Sequence, residues 1–507
     1  MNIYLPLHVW DREFDSRLVI AYLTACLGNT SILGHEYNMS PLYELDQNSI
    51  LFRAGAPIDN KVRGKWHRDT KQRGGLVITH DEEGVNNIPI KYKELVDGKK
   101  EIFLDLKAIR NNKYSVEAVK NVSQQIAWSN LHRAVQCHEI RDIKVRSIAV
   151  NRIESLSGVR FDLLGPFGER FQRRQTESIQ NLYGDYILAL DNFSVSNKGI
   201  SGFYDRTNDL RQAGYTDKEI YEQADKTEIN RQMEIKARED FANFILEFAE
   251  ENPYINIVFR PHPCHGQEYW EERFVSRQNI SIVNKGQIHA WIYGATATVH
   301  SGCTTGIEAY AADKPTYDIT ELLSERCDEI KNSLVAISRQ KTGNKSTVKK
   351  ELRERWKSTM MTRDKLSHKI HREKNTFEPG KLKGENIDGA ISIIQENSVI
   401  VSQMIQKNLG LSNSQDVIGV GGGLTHIVNT AERFKKMANK ELNIFSTTKS
   451  LYRYPPNLGK SRYVTLNEIQ LKLEDTRLAF EGYGVTLPRV KAVAIGVNVF
   501  AIKAVED

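Results

Sequence analysis

Between Tyr186 and Thr320 short apolar runs return at intervals that a helix can fill: YILALDNF, INIVFRPHP, ISIVNKG, TATVHSG and PTYDIT. Runs of this length suit strands buried on both faces. Between them, TDKEIYEQADKTEINRQMEIKAREDFANFILEFAEEN predicts a long, charged, amphipathic helix or helix pair. QIHAWIYG and CTTGIEAYAADK predict two shorter helices. Strands joined by helical crossovers build a parallel sheet, the βα rhythm of nucleotide-binding folds.

The chain opens in the same way. NIYLPLHV predicts a strand, REFDSRLVIAYLTACLG a helix ending at Gly28, and TSILGH a second strand. RGGLVITHDEEG predicts a strand that ends in acids and glycine, and EIFLDL and IKVRSIAV also read as strands. Two Rossmann-like α/β domains follow, at 1–183 and 184–323. Residues 324–409 read as a basic helical segment. Residues 410–507 read as an appended small module with βαβ-like pieces. The GVGGG at 419–423 lacks the full GxGxxG pattern and reads as a glycine-rich loop.

A chain of 507 residues can bury a core in each of several domains. A net charge of +6 with no dense basic domain does not call for nucleic acid. The basic stretches RGKWHR (63–68) and 349–374 would suit an anionic lipid or an acidic glycan, against a plain solvated surface. The cysteines at 26, 137, 264, 303 and 327 lack CxxC spacing, which predicts neither a disulfide framework nor a zinc site. The opening residues lack a basic then apolar leader, and no run reaches the length of a membrane span. A cytoplasmic protein, at the inner membrane face if it touches lipid, is the expectation.

Open α/β sheets bind ligands beyond the carboxyl ends of their strands. Three polar clusters stand at such ends. His80-Asp81-Glu82-Glu83-Gly84 follows LVIT; crowded acids there would raise one pKa and make a base, or simply form a polar turn. Arg260-Pro261-His262-Pro263 follows INIVF; prolines stiffen the turn, so His262 would meet a phosphate in one orientation and Arg260 would add a charged contact. A strand-ending turn with a structural histidine is the plainer reading. His300-Ser301-Gly302-Cys303-Thr304-Thr305-Gly306 follows TATV and opens a helix, whose free N–H groups would seat an anion. Capping by Ser301 or Thr304 would explain the same residues. Glu308, one turn on, would accept from ribose hydroxyls. A carboxylate of the first domain would thus face a histidine and an anion seat of the second.

The set Asp81–Gly84, His262-Pro263 and Ser301–Thr305 resembles the motifs of bacterial sialyltransferases and Kdo transferases, GT-B enzymes that use CMP-activated acidic sugars. FDLLGPFGERF, YGDYILALDNF, RPHP and HSGCTTGIEAY, with IYLPL…REFDSRL, are similar to a family of surface carbohydrate biosynthesis proteins. The resemblance covers roughly residues 1–320. It implies a GT-B-like α/β fold, two Rossmann-type domains facing a cleft, and transfer of a Kdo or sialic-acid-like sugar to a surface glycan or glycolipid. It implies a base at Asp81, Glu82 or Glu83, His262 with Pro263 on the CMP phosphate, Ser301, Thr304 and Thr305 binding that phosphate, and Glu308 on the ribose. For a retaining reaction, Asp191 and the acids near Arg12-Glu13 would be nucleophile candidates. It implies no catalytic metal and no cofactor beyond the nucleotide-sugar donor. A UDP-sugar transferase or 2-epimerase, a CDP-polyol phosphotransferase, and a non-catalytic glycan-binding module remain as alternatives.

Overall fold

The first apolar run forms strand β1 (Asn2–Leu7), and the pattern after it forms helix α1 (Trp10–Cys26). A computed structural model of the chain describes residues 1–43, 46–55, 61–81, 88–107, 109, 116–140, 142–193, 196, 216–262, 267–324, 344–367, 387–412, 417–438, 464–496 and 498–505. After α1 come β2 (Thr30–His35), α2 (Glu36–Tyr43), β3 (Ile50–Ala54), α3 (Lys61–Gln72), β4 (Leu76–His80) and a hairpin, β5 (Ile90–Glu94) with β6 (Lys100–Leu104). Then follow α4 (Val116–Asn121), β7 (Gln124–Ala127), α5 (Asn130–Glu139), α6 (Ile143–Val150), β8 (Ile153–Ser155), a 3-10 turn at Phe161–Leu163, and α7 (Gly165–Tyr183).

The first sheet is eight-stranded, in the order β14-β15-β2-β1-β3-β4-β7-β8, where β14 (Val490–Gly496) and β15 (Val499–Ala504) come from the far end of the chain. From β2 to β8 the pairs are parallel. Strand order reverses around β1, which lies between β2 and β3. That is a topological switch point, and a crevice opens at its carboxyl end.

The second sheet comes from one stretch: β9 (Tyr186–Leu190), α8 (Asp217–Glu251), β10 (Asn256–Arg260), α9 (Glu268–Phe274), β11 (Ile280–Ile282), α10 (Ile288–Gly294), β12 (Ala297–His300), α11 (Thr304–Ala311) and β13 (Thr316–Asp318). Its order is β11-β10-β9-β12-β13, parallel throughout. Here the switch point is at β9, between β10 and β12. The chain is thus α/β and GT-B-like, with two Rossmann-type sheets. Helix α7 ties the two domains. Its Phe167 and Phe171 lie in the core of the first, while Ile179 packs with Tyr186 and Trp291 of the second.

Helices α12 (Lys345–Ser367), α13 (Ile387–Asn408), α14 (Gly423–Ala438) and α15 (Leu466–Glu481) follow. The segment expected as one basic helical unit divides. Val348 and Leu352 of α12 enter the second domain's core, and Lys349 bonds Glu247 and Glu251 of α8. Helix α13 instead holds the junction: Asn397 donates to the carbonyls of Asp162 and Leu164 and accepts from Phe167 N–H. Of the basic stretch RGKWHR, Trp66 and His67 are buried, and Lys65 and Arg68 pair with Asp69 and Glu117. Residues 368–374 of the second stretch lie outside the described residues.

Two sequence expectations change here. IKVRSIAV is helix α6, not a strand, because Asp142 caps it by accepting from Lys144 and Val145 N–H. Residues 410–507 are not an appended module. Strand β15 pairs antiparallel with β2, and α14 and α15 pack on α1. Gly34 of β2 permits this, since a Cβ there would lie 2.6 Å from Asn498 O. The glycines of GVGGG serve close packing: a Cβ on Gly419 would meet Leu156 O at 1.7 Å, and one on Gly423 would meet Ser157 O at 2.2 Å. Among the described residues no helix is long and apolar enough to cross a membrane.

Candidate active site

Both switch points open onto one cavity of about 110 Å³. From the second domain its walls are Leu190-Asp191-Asn192 after β9, Arg260-Pro261-His262 after β10, and Cys303, Thr304, Thr305 and Glu308 at α11. From the first domain they are Val9, Asp11 and Arg12 between β1 and α1, and Arg160 before the 3-10 turn. A cross-domain bond fixes this seam: Gln287 Nε2 donates to Trp10 O at 3.0 Å.

The loops of the second domain are laced together. Pro261 has no N–H for the ladder, so β10 ends at Arg260 and the chain turns out. The Asp191 carboxylate accepts from His262 N–H at 2.8 Å, and Asn192 Nδ2 donates to Gly302 O at 2.8 Å. These bonds set where the His262 backbone stands before any ligand arrives.

The third loop differs in detail from the sequence expectation. Its helix is capped at Cys303, without a side-chain bond, and Thr304 is already the first helical residue. The buried His300 ring accepts at Nδ1 from Gly302 N–H (3.2 Å) and Cys303 N–H (3.3 Å), so these two donors are turned inward. Gly302 takes φ +75°, and Gly306 leaves room for the imidazole, which a Cβ would meet at 2.3 Å. Thr304 and Thr305 therefore present the open end of α11 to the cavity, while Ser301 is buried and, like Gly302, is not one of its walls. Burial pushes the Cys303 thiol up to about 11, which suits packing and not nucleophilic work.

Arg260 and Glu308 are also differently employed. Arg260 donates to the carbonyls of Lys285 (2.7 Å) and Gly286 (2.9 Å) and lies over Trp291. Burial pulls it down to about 10, and the charge of Asp11 opposes that shift. Its forked donors brace a loop instead of reaching for a phosphate. Glu308 faces Arg160 Nε at 3.1 Å and His289 Nε2 at 3.7 Å, all three buried. Burial holds the His289 pKa below its ordinary value. The expected ribose acceptor is thus part of an ion-pair cluster that bridges the domains.

Asp81 stands at the end of β4, two strands from β1, and is not a wall of the cavity. Its carbonyl accepts from Trp128 Nε1, and Arg160 lies over the Trp128 ring. Glu82, Glu83, Gly84 and Pro263 lie outside the described residues. The first-domain carboxylate that does line the cavity is Asp11. It is one of the acids near Arg12-Glu13 that the sequence put forward as nucleophile candidates. Arg160 carried no such signal, since it sits in a turn far along the chain from any cluster. Among the described residues no group of three or more His, Cys, Asp or Glu is gathered to hold a metal ion.

No family model matches the chain, and no curated protein matches it. Similar solved structures include the wall teichoic acid polymerase TagF, at 9% identity over 87% of this chain and 90% of that one, TM-score 0.43. The UDP-GlcNAc 2-epimerase from Methanocaldococcus jannaschii shares 11% identity over 63% of this chain and 83% of that one, TM-score 0.36. Anabaena HepE, in complex with UDP, shares 8% identity over 86% of this chain and 99% of that one, TM-score 0.34. Superpositions this loose carry no argument about activity.

Proposed function

We propose that the chain is a glycosyltransferase that takes a sugar from a nucleotide donor, with a CMP-linked acidic sugar as the donor and a surface glycan or glycolipid as the acceptor. The observation that carries the reading is the meeting of both switch points on one cavity, with His262 and the open end of α11 on the same side. In this reading Thr304 and Thr305, through backbone N–H and hydroxyl groups, hold the donor's phosphate. His262 gives a hydrogen bond or proton to the phosphate oxygen as it departs. Asp81, at the end of β4 beyond the walls of this cavity, takes the proton of the acceptor hydroxyl while the acceptor oxygen attacks the anomeric carbon and the bond to phosphate breaks. Arg12 supplies positive charge on the first-domain wall. Arg160, Glu308 and His289 keep the two halves in register.

Thermal unfolding in the presence of CMP, CDP, UMP and UDP tests this, because a ligand of the native state raises the melting temperature. The expected result is a shift with CMP that weakens in His262→Ala and is followed by turnover of a CMP-sugar. A shift with UDP alone would move the donor to the UDP-sugars. Turnover of a CDP-polyol would replace glycosyl by polyol-phosphate transfer. No shift with any nucleotide would overturn the enzymatic reading.

A further inference from the structure

We propose that His132 is the positioning residue of Asp81: it holds the carboxylate at the end of β4 ionised and turned toward the acceptor. This rests on the transferase reading above, in which Asp81 is the base. The argument begins with Trp128, which fixes both partners. Its indole Nε1 donates to Asp81 O, pinning the strand end. Its backbone N–H donates to His132 Nδ1 at 3.1 Å. A nitrogen that accepts carries no proton, so neutral His132 must bear its proton on Nε2.

That Nε2 lies 3.6 Å from Asp81 Oδ2. The distance is beyond a formed hydrogen bond, as catalytic contacts often are before substrate binds. Burial supports the assignment of roles. The His132 side chain is 1% exposed and Asp81 20%, so the histidine is the fixed inner partner and the carboxylate the reachable one. Among the described residues, the charged or titratable groups near the pair include His80, stacked on Trp128, and Arg160, over the same ring; Glu82 and Glu83, next in the chain, lie outside the described residues. Arg133 on α5 is turned away, to the carbonyls of Val150 and Ile153.

A purely structural role competes. His132 is the third residue of α5, whose cap Ser129 accepts from His132 N–H, and its ring reaches back to a backbone N–H as a capping-box side chain does. Glutamate and glutamine are the usual residues at that place. The two roles therefore part company in His132→Glu, which keeps the acceptor for Trp128 N–H but sets a second carboxylate against Asp81. His132→Gln keeps an acceptor and an N–H donor.

The test combines thermal unfolding, the pH profile of kcat/KM for the donor turned over, and a ¹³C-carboxyl titration of aspartate-labelled protein. Asp81 is assigned by the signal missing from Asp81→Asn. Expected in His132→Glu is a cooperative unfolding transition at a lowered midpoint, because two carboxylates now face each other, with the Asp81 titration and the acid limb of kcat/KM both moved up by about one pH unit. His132→Gln is expected to restore both. A glutamate variant indistinguishable from wild type in both titrations would overturn the proposal and leave only the cap. If no donor were turned over but the Asp81 titration still moved, the transferase reading would fail while the coupling of His132 to Asp81 stood.

Discussion

The two sheets follow the same rule of assembly and differ in where their strands come from. The second takes all five from one stretch, β9 to β13. The first takes six from residues 2–155 and closes its edge with β15, whose partner β2 lies at the opposite end of the chain. The second can form once its own stretch exists. The first depends on a contact made across the whole length, on the α7 and α13 junction, and on the ion pairs at the seam. Stability of the first sheet is therefore expected to respond to changes that leave the second untouched.

The seam offers the largest effect. Arg160→Met leaves the Glu308 carboxylate buried beside His289 without its guanidinium, and removing one member of a buried pair costs about 3–5 kcal/mol. Chemical denaturation should show that loss, and a two-step transition in which the first domain unfolds before the second. A single transition of wild-type midpoint would mean that the seam does not couple the sheets.

The junction comes next. Asp162 is fully buried, accepting from Ser157 and Ser398 hydroxyls and from Leu424 N–H, and burial pushes it from 3.8 up to about 6. An acid whose pKa is raised by folding stabilises the native state below its unfolded pKa. That contribution is lost as pH rises through the folded pKa. Between about pH 4 and pH 7 this group should remove about 3 kcal/mol. Asp162→Asn, measured by denaturation at several pH values, should flatten that part of the profile; an unchanged slope would contradict the assignment.

Gly34→Val tests the long-range strand directly. The new side chain meets Asn498 O and Val499 and should cost about 2 kcal/mol, with faster hydrogen exchange along β14 and β15 and unchanged protection in β9 to β13. Smallest is the cap of α15. Thr465 and Glu468 form a reciprocal capping box, and Thr465→Ala should cost about 1 kcal/mol in thermal unfolding, again confined to the first domain.

What could be read from the sequence divides along the same line. The strands of the second sheet were legible because apolar runs and turn residues specify them locally, and the clusters after β10 and β12 follow from where those strands end. The return of the last strand was hidden, since nothing in VNVFAIK names TSILGH as its partner. Its one trace was Gly34, a glycine inside a strand. IKVRSIAV misled because its apolar residues fit strand and helix alike, and Asp142 decided between them. In the site, residue identity suggested Arg260 and Glu308 as ligand contacts. Their partners Lys285, Gly286 and Arg160 lie elsewhere in the chain, so only the folded arrangement reveals that both are engaged.

The pairing of β15 with β2 also sets a timetable. During synthesis β2 is complete at His35, but its outer edge has no partner until Val499 and the residues after it have been made. At about 5–20 residues per second that interval lasts roughly 20–90 seconds. Throughout it, a strand edge that would readily template pairing with another chain stands uncovered. The middle of the polypeptide can finish its sheet well before the beginning does, so the domain that emerges first from the ribosome is the last to be sealed.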